Sequence, residues 1–302
     1  MDGREDQPLA GVGAHQRTRT TVSGNEPRIE YVEARRVLLD ALTALQPHIG
    51  AIVLIGAQAV YLRTSGRLST YQPFTTDADL ALDPALLADI PLLGDAMLDA
   101  GFELTAEPGI WQQRFQRPGF DGDITVPVDL IVPAELVSKA GRRGARLPGE
   151  HGKTAARKSE GVAGAIVDFD PFEITSFETD DDRTVVVNVA GPAALLVAKA
   201  HKLGERLATP ERLMPKDAGD IYRLFDATSV DDMATATKLL LADERSSTAT
   251  STALRFVRQL FATPRSPGVG LAVQALAGII DPATGTSVLT GYTSDFLDNT
   301  QP

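Results

Sequence analysis

The sequence predicts an α+β fold, a mixed β-sheet flanked by helices and followed by a C-terminal helical domain. Three observations carry this reading. Strand-like and helix-like periodicities interleave from about residue 28 to residue 190. Helical spacing alone continues beyond Pro192. The composition of the 302 residues, 43% hydrophobic and 23% charged, is that of a chain that buries a core. Residues 1–27 are rich in Gly, Asp, Arg, Thr and Gln, and their few large apolar side chains cannot offset the entropy of ordering, so a disordered tail is expected there. The expected units are therefore a tail over 1–27, a mixed domain over 28–190 and a helical domain over 191–302.

Taken in order, Ala34, Leu38, Ala41, Leu42 and Leu45 recur at helical spacing until Pro47 and Gly50 end the pattern. The apolar run 51–55 reads as a strand, Gly56 as a tight turn and 57–62 as a helix. After a loop carrying Arg63, Gly66, Arg67 and Pro73, residues 75–82 alternate as a half-buried strand with Asp77 and Asp79 on one face. Residues 84–100 read as a helix broken near Pro91. Strands are expected at 102–105, 110–116 and 124–132, with Pro127 marking an edge or bulge and Asp129 set among apolar neighbours, and a last strand at 185–189. Helices are expected at 193–207, 215–227, 230–242, 247–262 and 268–279.

Charge and composition narrow the chemistry. A net charge of −11 argues against a general DNA-coating or membrane-surface role. The exception is the segment 139–158, where seven Lys or Arg face a single Glu150; Arg142, Arg143, Arg146, Lys153, Arg157 and Lys158 are its candidate contacts for an RNA backbone. The absence of cysteine removes disulfides, thiolate nucleophiles and Cys-ligated zinc, and the four histidines are scattered, which leaves carboxylates as metal ligands. The sequence shows no signal-peptide pattern at its start and no apolar run of the ~18–20 residues that a membrane span needs, so a soluble, cytoplasmic chain is expected.

Asp77 and Asp79, two residues apart on a strand, bring two carboxylates to one face about 7 Å apart. Such hard oxygen donors suit Mg²⁺. Asp129 supplies a third carboxylate from another strand, where an unpaired charge among apolar neighbours demands a positive partner. With the Gly56 turn at a helix N-terminus suited to phosphate, these are the parts that nucleotidyl transfer requires. Further on, Lys199, Lys202 and Arg206 share a helix face and form a cationic stripe, and Asp217 and Asp220 share another. Lys199 lies within an apolar run and needs an anionic partner, Asp220 or a phosphate. Trp111 and Phe115 read as core, and His201 as packing or as the partner of a nearby carboxylate.

The order Gly56-Ala57, then Asp77-Ala78-Asp79, then Asp129, resembles the nucleotidyltransferase fold superfamily. Ala57 departs from the Gly or Ser usual there and has no hydroxyl, which leaves backbone N–H groups to hold phosphate. The stretches 198–206 and 216–224 resemble the two C-terminal motifs of bacterial toxin nucleotidyltransferases, the AbiE abortive-infection toxins and the related mycobacterial MenT toxins. Residues 207–215 between them are longer than in many relatives, and the resemblance covers about residues 30–225.

The resemblance implies a Mg²⁺-dependent enzyme that moves a nucleotidyl group from an NTP to a hydroxyl, with a tRNA 3′ end as acceptor and an antitoxin protein as partner. It places Asp77, Asp79 and Asp129 as metal ligands and catalytic groups, and Lys199 and Asp220 as further catalytic residues. Gly56, Ala57, Arg67, Lys199 and Lys202 are the expected NTP contacts. Transfer to a small molecule or a protein, and a catalytically silent binding protein of the same fold, are the alternatives.

Overall fold

A computed structural model describes residues 27–68, 74–118, 122–137 and 144–300. The tail expected over 1–27 therefore lies outside the described residues except for Pro27, as do Arg142 and Arg143. The architecture is α+β: an eight-stranded mixed sheet with helices packed on it, then a helical C-terminal region.

Helix α1 (Ile29–Ala44) carries a buried apolar stripe, including Ala34, Leu38, Ala41 and Leu42. It lies across β2 (Ala78–Leu82), β5 (Asp123–Pro133) and β8 (Thr184–Ala190). Strand β1 (Ile52–Ile55) is buried along its whole length, as a continuous apolar run covered on both sides should be. The strand turns at Gly56 directly into α2 (Gly56–Arg63). Strand β2 returns antiparallel to β1, and β5 then runs parallel to β2. With β3 (Glu103–Leu104), β4 (Ile110–Gln116) and β7 (Phe169–Thr175), the sheet order is β3-β4-β5-β2-β1-β8-β7, and β6 (Arg157–Ser159) pairs with the end of β5.

Several expectations are corrected. Residues 84–92 are not helical, since Pro84 and Pro91 punctuate them, and α3 covers only Leu93–Asp99. Strand β2 starts at Ala78, so Asp77 sits on the residue entering the strand instead of inside it. Strands β6 and β7 were not expected. The first lies inside the basic segment, and the second is a mostly exposed strand containing Pro171 that is held by antiparallel pairing to β8. Trp111 is core as expected, with its indole Nε1 donating to the Ala155 carbonyl at 2.9 Å.

The sheet ends at Ala190 and the helices begin at Pro192: α4 (Pro192–Gly204), α5 (Pro215–Ala227), α6 (Val230–Ala242), α7 (Ser247–Phe261), α8 (Pro267–Ala275) and α9 (Pro282–Thr300). The Asp168 carboxylate accepts from the Ala194 N–H at 3.1 Å and caps the start of α4 from outside the helix. Gly204 ends α4 against the Phe256 ring, where a Cβ would stand 2.1 Å from ring carbon Cγ. Helix α4 is thus fixed at both ends. No helix among the described residues is long and apolar enough to cross a membrane.

Candidate functional site

Sheet register brings the acidic residues together. Asp79 on β2 stands beside Asp129 on the parallel neighbour β5, and across β1 it faces Ile55, the residue before the turn. Gly56 adopts φ +70°, and a Cβ built there would stand 2.0 Å from Oδ2 of Asp79. Glycine is therefore required twice, for the left-handed backbone and for the space the carboxylate fills. Asp77 is held from behind: Gln58 on α2 is buried and donates to the Asp77 carbonyl at 3.1 Å and to the Ala34 carbonyl at 3.1 Å. Its amide oxygen accepts from Arg35 Nε at 3.0 Å. The Thr75 hydroxyl donates to Asp77 Oδ1 and itself accepts from Lys216 Nζ at 3.3 Å.

The electrostatics are those of crowded carboxylates. Poor solvation, followed by the charges of Asp77 and Asp129, pushes the Asp79 carboxyl up to about 7. Asp129 is also raised, by burial in the first place and by Asp77, although Arg157 opposes the shift. The guanidinium of Arg157 donates to Asp129 Oδ2 from Nε at 3.1 Å and from Nη2 at 2.6 Å. This is the positive partner that Asp129 was expected to need. No hydrogen bond or ion pair among the described residues reaches the Asp79 carboxylate, or Oδ1 of Asp129. Like-charged, oxygen-only donors with unengaged lone pairs fit Mg²⁺, which Asp77, Asp79 and Asp129 would hold.

On the facing helices, Lys199 is buried and donates to Asp220 Oδ2 at 2.6 Å and Asp217 Oδ1 at 2.9 Å. Burial alone would lower its proton affinity, but the two carboxylates more than offset this and hold the ammonium above its ordinary range. Burial would raise Asp217, yet Lys199 and Lys202 bring it down to about 2. Lys202 reaches the same Asp217 oxygen at 3.1 Å, and Arg206 reaches the other at 4.0 Å. The Lys202 side chain is 49% exposed where that of Lys199 is 7% exposed.

Between the two halves lies a cleft of about 400 Å³. Gly56, Asp79 and Arg157 line its sheet side, and Lys199, Lys202 and Arg206 its helical side. Other expected contacts lie elsewhere. Ala57 is buried in the core, and Arg67 is exposed on the turn after α2 and does not line the cleft. Arg146 and Lys153 are exposed, Lys158 lines the cleft, and Arg157 turns inward onto Asp129 instead of joining an outer basic patch. Sequence reasoning missed Gln58, Thr75, Lys216 and the role of Arg157: Gln58, Lys216 and Arg157 reach partners distant in the chain, and Thr75 is a lone hydroxyl two residues before Asp77 with no periodicity to mark it.

No family model matches the chain, and a search of curated proteins finds no relative.

Proposed function

We propose that this chain is a Mg²⁺-dependent nucleotidyltransferase that moves a nucleotidyl group from an NTP to a hydroxyl, releasing pyrophosphate. One observation carries the reading: Asp79, adjacent in register to Asp129, lines a cleft together with Gly56 and with Arg157, the partner of Asp129, and the cations of α4 line the opposite wall. Bound Mg²⁺ would supply charge stabilisation to the triphosphate.

The chain's own residues do the rest. Lys202, the exposed member of the stripe, binds phosphate oxygens, and Lys199 is a positioning residue that ties α4 to α5 through Asp217 and Asp220. The acceptor oxygen attacks the α-phosphorus in line, and the bond to the β-phosphate oxygen breaks. The hydroxyl proton passes to the Asp129 carboxylate, the acidic group next in register to Asp79. Lys158 at the cleft, with exposed Arg146 and Lys153, supports an RNA acceptor. A tRNA 3′ end as that acceptor, action as a toxin, and an antitoxin partner rest on the sequence resemblance.

The test is incubation of the purified protein with each labelled NTP, Mg²⁺ and total RNA, with Asp77→Ala as control. Label in RNA that vanishes in the variant supports the reading. Label in small molecules or protein would move the acceptor class, and no label in either sample would overturn enzymatic activity.

A further inference from the structure

At the rim of the cleft, away from the three aspartates in sequence, His201, Glu205 and Glu160 bring one donor atom each within 4.8 Å of one another. His201 is on α4, Glu205 lies four residues on at its C-terminus, and Glu160 follows β6. The imidazole is 3% exposed, and its Nε2 is 2.8 Å from the Ala249 carbonyl. A carbonyl only accepts, so Nε2 carries a proton, and Nδ1, which faces Glu205, becomes a ligand once any proton shared with that carboxylate leaves. That Nδ1 is buried and has no hydrogen-bond partner. A ring that donates one N–H to a backbone carbonyl and leaves the other nitrogen bare is oriented as metal-ligating histidines are.

The surroundings fix this orientation. The Phe256 ring stands edge-on to the imidazole at 5.6 Å. Gly161, at φ +78°, is pressed on it so closely that a Cβ would stand 2.4 Å from Cγ of the ring. This contact brings the neighbouring Glu160 beside the ring, with a carboxylate oxygen within 4.8 Å of a ring nitrogen. Nδ1 and Glu205 Oε1 are already 3.4 Å apart, the spacing of about 3.4 Å that two ligands at ~2.1 Å take around a tetrahedral ion. Both glutamates are exposed and line the cleft, which provides a path of entry and leaves the remaining positions to water.

We propose that His201, Glu205 and Glu160 form a second cation site, distinct from the aspartate site, that takes a d-block divalent ion of the zinc type. One imidazole and two carboxylates suit zinc, cobalt or manganese, whereas Mg²⁺ prefers oxygen alone. The cleft would then hold a hard-cation site on the sheet and a borderline-cation site on the helical side.

The experiment titrates chelator-stripped, full-length protein with Zn²⁺ against a competing chromophoric chelator, in excess Mg²⁺. Co²⁺ spectra provide a second readout. One equivalent per chain is expected, unchanged in Asp79→Asn and weakened about tenfold or more in the Glu160→Gln/Glu205→Gln double variant. Both glutamates are exposed, so circular dichroism should show that this variant keeps its fold. Equal Zn²⁺ affinity in wild type and the double variant, or no bound equivalent in the folded wild type, would overturn the site. Neither result touches the labelling assay, which reads the aspartates.

Discussion

Arg157 and Asp129 meet through a single carboxylate oxygen: Nε at 3.1 Å and Nη2 at 2.6 Å both donate to Oδ2. The guanidinium thereby offsets one charge of an otherwise repulsive set of three aspartates and leaves Oδ1 for another ligand. Arg157→Gln should destabilise the Mg²⁺-free protein by about 2 kcal/mol, because a partly buried carboxylate loses its partner. The same variant should gain more thermal stability from Mg²⁺ than wild type does. Melting curves with and without Mg²⁺ read both effects, and an unchanged curve in either condition would refute the coupling.

Lys199 and Lys202 should separate stability from ligand binding. Lys199→Met takes from buried Asp220 its ion-pair partner and leaves Asp217 only Lys202 and Arg206, and should cost about 3–5 kcal/mol in urea unfolding. Lys202→Ala removes a half-exposed partner of Asp217 and should cost under about 1 kcal/mol. Nucleotide affinity should respond in Lys202→Ala, which calorimetry with a non-hydrolysable NTP would show. If Lys202→Ala binds nucleotide as wild type does, the phosphate contact lies elsewhere.

Asp79 gives a pH dependence of known sign. Its folded-state pKa, about 7, exceeds the ordinary 3.8, so the folded chain holds this proton more tightly than the unfolded chain does. The contribution of Asp79 to stability therefore declines as pH rises from 3.8 to about 7, and is constant above. Asp217, held down at about 2, acts oppositely: its contribution is present above 3.8 and is lost as pH falls through 2. The difference in unfolding free energy between wild type and Asp79→Asn isolates the first effect. Relative to the variant, wild type should weaken between pH 5 and pH 7 without Mg²⁺ and recover when Mg²⁺ is added. A flat difference across that window would contradict the assigned environment.

What the sequence revealed follows from how local each signal is. Strand β4 and helices α5 and α6 match their expected limits because apolar periodicity is bounded by Pro or turn residues at both ends. Helix α9 was missed because Thr and Gly fill much of it, and its helicity comes from packing Leu289, Phe296 and Leu297 against α6, α7 and α8. Asp77 and Asp79 stood out by their spacing on one strand face, and Asp129 and Lys199 because charge inside an apolar stretch is costly. Gln58 left no such mark, since its role, holding Asp77 by a backbone carbonyl, depends on a contact that only the fold creates. Arg157 looked like one more cation in a basic run until β6 paired with β5 and carried it to Asp129.

Gln58 offers a test of positioning without charge. Gln58→Leu keeps the size of the side chain and deletes its bonds to Ala34, Asp77 and Arg35, leaving buried polar groups unpaired at about 1–3 kcal/mol. The Asp77 backbone is then free to shift, and transfer should need more Mg²⁺ to reach its maximum rate. A Mg²⁺ titration of the labelling reaction distinguishes this from simple destabilisation, which lowers the amplitude and leaves the midpoint in place.

Gly56 supplies the most local test of the arrangement. An alanine there must hold φ +70°, a conformation that costs an L-residue about 1–2 kcal/mol, and its methyl would occupy the position of Asp79 Oδ2. The strain alone predicts a modest loss of stability, whereas the collision predicts something specific: Asp79 rotates away from Asp129, and Mg²⁺ no longer protects the fold against heat. Melting Gly56→Ala with and without Mg²⁺ separates the two. A variant that melts lower but keeps the full Mg²⁺ shift would show that the turn and the carboxylate are independent, and that the cation is held without Asp79.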